Sequence, residues 1–407
     1  MRIPLVAAAL AIASSALASP DFASPALAQP ANDPAMEARL DPVIDRALSE
    51  KRIVGAVVLV AKDGRIVYRR AAGHADREAG VKMREDAIFR LASVTKPFVT
   101  AAAMRLVEDG RLDLDAPVTR WLPDFRPALP DGSTPAITIR QLLTHTSGLG
   151  YSFLEPADGP YHRLTVSDGL DQPGLSLAEN LTRLSAAPLN FAPGTGWRYS
   201  LGIDVLGGVL EKVEGRSLSD IVRDDVTAPL GIDDTGFSVR DVSRLARAYA
   251  DGNPEPVAMA DGQAVPLMGL AATFAPSRIL DPKSYPSGGA GMAGTAPDVL
   301  RFLEAIRTGG SPILKPETVA LMTSDQVGTT AKTQGPGWGF GYGWAVLDDP
   351  VRTGTPQAAG TLQWGGAYGH SWFIDRQNGL SVVALTNTAF EGMAGAFPTE
   401  VRNAVYK

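Results

Sequence analysis

The chain has 407 residues, a formal net charge of -6 and no cysteine, with a sequence pI of about 5.4. The acidic balance leaves no basic footprint for nucleic acid, and the missing thiols exclude disulfides, a cysteine nucleophile and thiolate metal sites. With 45% hydrophobic residues, 42 glycines and 31 prolines, the composition supports a sizeable core and many turns, arranged as one large domain with an insertion or as two domains.

Residues 1–28 read as a signal peptide. Arg2 supplies the charged start, Pro4 to Ala18 the apolar stretch, and Ala26-Leu27-Ala28 a small-residue cleavage site, with Ala16-Leu17-Ala18 as an earlier alternative. The apolar stretch falls short of the ~20 residues that a membrane span needs, and no later segment comes closer. The expectation is an exported chain, periplasmic or secreted, with no membrane span once mature.

Met36 to Ser49 predicts a first helix. Ile53 to Ala61 reads as a buried strand, Lys62-Asp63-Gly64-Arg65 as a hairpin turn, and Ile66 to Ala71 as the returning strand. From Val94 onward apolar Phe98, Ala102 and Leu106 recur four apart, as on one stripe of a helix. Pro97 must lie in its first turn, where a missing N–H costs nothing. That puts Ser93 at the helix N-terminus, where free N–H groups and the dipole favour an anion. Lys96 follows one turn up on the same face.

From Leu112 to about Pro286 the pattern is helical and loop-rich, with capping spacing at Thr138…Gln141, Ser176…Glu179 and Ser217…Asp220 and no strand pattern of any length. Thr295…Asp298 caps a further helix. Trp338 to Trp344 then alternates aromatic and glycine as a strand does. Its Gly-x-Gly-x-Gly lacks the strand-then-helix context of a phosphate loop, and bare glycines on a sheet face admit a packed helix. Gly360 to Trp364, Ser371 to Asp375 and Leu380 to Asn387 supply further strands, with Gln377-Asn378-Gly379 as a turn, and Phe397 to Tyr406 a last helix. The order predicts an α/β (α+β) fold: an antiparallel β-sheet flanked by helices from residues 36–111 and 287–407, with a large, mostly helical insertion over 112–286. Ligand sites favour such junctions.

Ser93-x-x-Lys96 brings a hydroxyl and an amine together. With 24 serines and 9 lysines in 407 residues, about half an occurrence arises by chance, so the spacing alone decides little. The Pro97 constraint and the apolar surroundings add to it, because a partly desolvated lysine there is a usable base. Gly-x-Ser-x-Gly, the nucleophile elbow, is absent. Gly369-His370-Ser371 resembles it but sits in a strand pattern without the second glycine. The four histidines, His74, His145, His162 and His370, show no metal-ligand spacing, and no motif calls for a metal or other cofactor. A serine hydrolase without a histidine base needs another proton carrier. Tyr199, in the turn-rich loop Pro193 to Ser200 ahead of a helix, is the best tyrosine for that work, although an aromatic plug at a helix start reads the same way. Thr138 to Thr146 reads as a short helix, with Gly148 free to take the left-handed position after it and His145 in a structural place at its end.

Ser93-Val-Thr-Lys96, Leu142-Leu-Thr-His-Thr-Ser-Gly-Leu149, Trp197-Arg-Tyr199-Ser200 and Gly288-Gly-Ala-Gly-Met292 occur in the order seen in the serine β-lactamase and penicillin-binding-protein-like superfamily, which the chain resembles over about residues 36–407. The class C β-lactamase branch is the broad match. Trp364-Gly365-Gly366-Ala367 and the Tyr-Gly-His-Ser-Trp-Phe after it look like the family VIII carboxylesterases. The resemblance implies a β-lactamase/transpeptidase-like fold, Ser93 as acylated nucleophile, Lys96 as its base partner and Tyr199 as proton shuttle. It also implies an oxyanion hole from the N–H groups of Ser93 and Ala367, with Tyr151 and Phe153 as pocket walls. Two departures bear on substrate. Leu201 stands where β-lactamases of this branch carry the Asn of Tyr-x-Asn, and Trp364-Gly365-Gly366 stands for their Lys-Thr-Gly. Both remove recognition of an acylamino-carboxylate and leave acyl transfer intact. A small-molecule, uncharged ester is the expected substrate. The alternatives are a class C-like β-lactamase or D,D-peptidase, and a non-catalytic ligand-binding relative.

Overall fold

The computed structural model describes residues 33–407 apart from 268, 329, 330 and 332; the signal-peptide reading of residues 1–28 lies outside the described residues. Helix α1 (Pro34–Ser49) starts two residues before the expected Met36, because Asp33 accepts a hydrogen bond from the Ala35 N–H and so caps it. Strand β1 (Gly55–Lys62) turns at Asp63 and Gly64, both at positive φ (50° and 80°), into β2 (Arg65–Asp76) and then the short β3 (Val81–Lys82). Helix α2 (Thr95–Glu108) follows, then α3 (Ile139–Leu143), α4 (Leu177–Ala186), α5 (Gly202–Glu214) and α6 (Ala296–Arg307). The chain closes with β4 (Trp338–Phe340), β5 (Ala345–Leu347), β6 (Leu362–Gly366), β7 (His370–Asp375) and β8 (Leu380–Thr386), and then α7 (Ala389–Ala394) and α8 (Ala396–Tyr406).

All eight strands form one antiparallel sheet in the order β4-β5-β6-β7-β8-β1-β2-β3. Its central strand β1 is buried on both faces, which is why it reads as an unbroken apolar run and not as an alternating one. Val57, Leu59 and Ala61 share a core with Phe98 of α2 and Phe302 and Ile306 of α6. Ala56, Val58 and Val60 share another with Leu40 and Ile44 of α1 and Phe397 and Val401 of α8. The expected stripe on α2 understates its burial. Thr95 through Met104 are all buried, so the helix runs through the core rather than over it, and Phe98 stacks on Phe302 at 4.1 Å.

Two expectations need correction. Residues 112–286 do contain strands: Tyr249–Ala250 pairs with Val257–Ala258, and Gln263–Leu267 forms a hairpin with Leu270–Phe274. Val265, Ala272 and Phe274 are buried between outward-facing neighbours. Pro266, tolerated in a two-stranded ribbon with open edges, masks that alternation in the sequence. Trp338 to Trp344 is also not one strand. The chain turns at Gly341 to Gly343, where Gly343 has φ +88°, so β4 and β5 are the arms of a hairpin. The packed helix is there nonetheless: a Cβ on Gly343 would lie 2.6 Å from Thr100 Oγ1 of α2.

The sheet reaches the Ser93 segment through β6 and β7. His370 of β7 is fully buried and donates from Nε2 to the Arg90 carbonyl at 2.7 Å, while its Nδ1 has no partner. Burial pulls its pKa from the ordinary 6.5 down to about 4. Between those values the unfolded chain binds a proton that the folded chain refuses, so stability present above pH 6.5 is lost as pH falls toward 4. The loss amounts to about 3 kcal/mol from this group, and His145, held low by burial in the same way, adds to it. Asp168, buried and pushed up to about 7, works in the opposite sense, so the His370 contribution is read as a difference: in urea unfolding across pH 7 to 4.5 the unfolding free energy of the wild type should fall relative to that of His370→Asn. Equal slopes in the two proteins would mean that His370 is not a titrating group of the transition.

Candidate active site

The turn into α2 is sharper than helix-start statistics predict. Ala92, one residue before Ser93, sits at φ +45°, a left-handed conformation that costs a non-glycine residue about 1–2 kcal/mol. It begins a single 3-10 turn, Ala92–Val94, which hands over to α2 at Thr95. Pro97 is then the third residue of α2, inside the first turn as required. Strain of this kind gathers at functional sites, and nothing in the local sequence announces it.

Ser93 Oγ receives two donors. Lys96 Nζ lies 3.3 Å away and Tyr199 Oη 2.7 Å away. Lys96 is fully buried and also donates to the Gly289 carbonyl at 2.8 Å. Its ammonium lies 4.5 Å from the Tyr199 ring centre and 5.3 Å from that of Tyr151. Tyr199 in turn accepts from Trp364 Nε1 at 3.2 Å, with ring centres 5.1 Å apart. Ser93 and Lys96, one turn apart, thus form one connected group with the distant Tyr199 and Trp364.

Each partner is held by something that the sequence did not make plain. Tyr199 precedes α5 in a loop that is stitched to the segment after α3. Gly194 N–H donates to Thr146, Arg198 N–H to His145 and Leu201 N–H to Gly150. The His145 ring meets Ser200 Oγ at 3.1 Å through Nδ1 and packs edge-on against Tyr199 at 4.8 Å. The helix-end place expected of His145 differs in its geometry. Helix α3 ends at Leu143, and His145 itself, at φ +56°, is the first left-handed residue, with Gly148 a second at +83°. Gly289, the acceptor for Lys96, lies against α5: a Cβ there would be 2.3 Å from Asp204 Oδ2. Asp204 is buried and accepts from Ser287 Oγ at 2.6 Å. Burial raises its pKa from the ordinary value, and the Ser287 hydrogen bond and Lys96 oppose the shift. Asp204 and Ser287 belong to the site's frame although no sequence signal singled them out, beyond the glycine run beside Ser287.

The β6 residues border the same space. A Cβ on Gly366 would sit 2.3 Å from the Leu91 carbonyl, so only glycine lets this strand lie against the segment that leads to Ser93. Gly365, Ala367, Trp364 and Phe153 line the cavity that opens beside Ser93, whose volume is about 640 Å³. Tyr151 stands behind that wall. It is buried, stacked on Phe153 at 4.6 Å and turned toward Lys96, and burial raises its phenol well above the ordinary range. Ser371 also lines the cavity, but His370 points its Nε2 at the Arg90 carbonyl, so the Gly369-His370-Ser371 look-alike supplies no base to that serine. Chemically, the connected group offers a hydroxyl with two proton-carrying neighbours at the mouth of a mostly apolar cavity, the requirement for acyl transfer without a histidine.

Comparison with known proteins identifies the family. The protein-family description Beta-lactamase matches residues 40–406. Esterase EstB of Burkholderia gladioli is 60% identical over 376 residues, covering 91% of this chain and 95% of that protein. Lovastatin esterase of Penicillium rubens is 30% identical over 381 residues, covering 84% and 90%. Among solved structures, EstCE1, a hydrolase with promiscuous acyltransferase activity, superposes with a TM-score of 0.90 at 52% identity over 92% of this chain and 99% of that one. A match to nearly the whole described chain, around a Ser-x-x-Lys helix start, an incoming tyrosine and a Trp-Gly-Gly strand, makes this protein a member of the beta-lactamase family, on the side of it that holds the family VIII esterases.

Proposed function

We propose that the chain is a serine carboxylesterase that cleaves carboxylic esters through an acyl-enzyme on Ser93. The observation that carries this reading is the double contact on one oxygen: Tyr199 Oη at 2.7 Å and Lys96 Nζ at 3.3 Å from Ser93 Oγ. For acylation the Tyr199–Lys96 pair must be one proton short; as Oγ bonds to the ester carbonyl carbon, the Ser93 proton passes to that pair. The resulting oxyanion is held by the N–H groups of Ser93 and Ala367. Collapse of the intermediate breaks the bond to the alcohol, which leaves with the proton from Tyr199. Water then adds to the acyl-enzyme with the same groups acting in reverse.

The neutral indole of Trp364 on Tyr199 supports esters over β-lactams, since it occupies the position from which a lysine would draw a carboxylate beside the reacting bond. The similarity to EstB and to lovastatin esterase supports the same class. We further infer that the chain is exported, from the signal-peptide pattern of residues 1–28. Residues 112–286 act as an insertion that brings Tyr199 and Phe153 to a site whose other half comes from residues 36–111 and 287–407.

Ser93→Ala should abolish turnover of p-nitrophenyl butyrate and the +70 Da acyl adduct in the intact mass of the quenched enzyme. Tyr199→Phe should lower kcat by on the order of 10²–10⁴. Wild-type turnover in either variant would contradict the assignment. On the wild-type enzyme, a kcat/KM for nitrocefin above that for the ester would favour the β-lactamase alternative. Gly366→Ala must push β6 away from Leu91 and the oxyanion donors out of line. A loss of about a hundredfold in kcat with an unchanged far-UV spectrum is expected, and near-normal kcat would show that β6 does not set the geometry.

A further inference from the structure

The cavity beside Ser93 does not end at the reacting oxygen. Its wall continues over Gly365 and Ser371 to Gln363 and Phe373, and then to Thr399 and Arg402 of α8. Gly365 pairs with Ser371, and Gln363 with Phe373, on the sheet face that α8 covers, so the cavity joins the Ser93 side of the sheet to the side of the C-terminal helix.

The charge on this wall is one-sided. In a chain of net charge -6, the described lining contains two arginines, Arg198 and Arg402, and no aspartate, glutamate, lysine or histidine. Arg198 turns Nη2 to the Leu154 carbonyl at 2.7 Å, and its buried Nε has no partner. Arg402 stands at the far end. It is half-buried, and its hydrogen bonds go only to the neighbouring Asn403 Oδ1, from Nε and Nη2 at 3.2 Å each. No carboxylate among the described residues pairs with it. Glu400, in the same helix, is taken by Arg46 and Arg52. Burial lowers the Arg402 guanidinium from its ordinary value, and only the Tyr406 phenol opposes the shift. A partly desolvated guanidinium with free donors is an incomplete arrangement that a planar anion completes, because carboxylates match its fork.

We propose that the far end of the cavity is a carboxylate-binding subsite in which Arg402 receives an anionic group on the part of the ester remote from the reacting carbonyl. The inference rests on the esterase reading and narrows its substrates to esters that carry a carboxylate several bonds from the scissile carbon. At the near end Trp364 offers only a neutral indole. Under this proposal the uncharged character expected of the substrate applies next to the reacting bond and not at the far end. The carboxylate enters on either the acyl or the alcohol half, and the two are separated by experiment.

The test compares each free acid with its remote methyl ester, which has the same tether and no charge. Mono-p-nitrophenyl adipate and suberate form the acyl arm. The acetate ester of 6-hydroxyhexanoic acid forms the alcohol arm. In the wild-type enzyme kcat/KM should favour the free acid about tenfold in one arm, mainly through KM. Arg402→Gln should bring that ratio to one or below, and Arg402→Lys should keep part of it. Reading the ratio within each protein cancels any general loss of activity. No preference in either arm, or a preference that survives Arg402→Gln, overturns the subsite. Hydrolysis of p-nitrophenyl butyrate by the wild-type enzyme is the control: with it present the failure belongs to the subsite, and without it to the esterase reading.

Discussion

The arrangement depends on a lysine with no access to water. Lys96 lies on a helix that runs through the core, and its ammonium must find there what solvent would otherwise provide. It has one carbonyl, Gly289, one hydroxyl, Ser93, and two aromatic faces. An unpaired buried ammonium would be very unfavourable, so each of these partners is fixed by the lysine as much as the lysine is fixed by them. The Gly288-Gly289 segment must press against α5 to present its carbonyl. Tyr199 and Tyr151 must close over the side chain, and Ser93 must face back toward it. Satisfying the charge and assembling the site are the same requirement.

Tyr199 shows how that requirement spreads. A tyrosine on a free loop would sample many positions, but this one is held by backbone bonds to residues 145, 146 and 150 and by the His145 ring. The scaffold is itself non-regular: a five-residue helix, then left-handed residues at His145 and Gly148. Rigid loops of this kind position a side chain as well as a helix does, because each turn's backbone groups are paired.

Features fixed by local geometry were legible in the sequence. The Ser93–Lys96 approach is one helical turn, the Asp63-Gly64 hairpin is one turn type, and Thr138…Gln141 is a complete capping box. The apolar run of β1 announced a strand but not its two covering layers. Features made by distant pairs were not legible. Gly289 meets Lys96 across 193 residues, and His145 meets Ser200 across 55. Tyr199 stood out only through its motif, since a helix-start aromatic reads the same when it is a plug. The 263–274 hairpin was hidden by Pro266, and the Ala92 conformation has no local signature at all.

The central strand also fixes an order of events. β1 is hydrogen-bonded on one side to its sequence neighbour β2, but on the other to β8, where Val57 faces Leu385. A strand that is apolar on both faces thus leaves one edge open until more than three hundred further residues have been joined and have found their places. Closing so long a loop makes this pairing a late and slow step. Until then the most hydrophobic segment of the sheet offers an unpaired edge, the form in which chains associate wrongly. The final two strands and the helices after them therefore act as a completion signal: a chain that has lost them lacks a seal for its centre, and its Ser93 helix, however well formed locally, has no sheet to lie against.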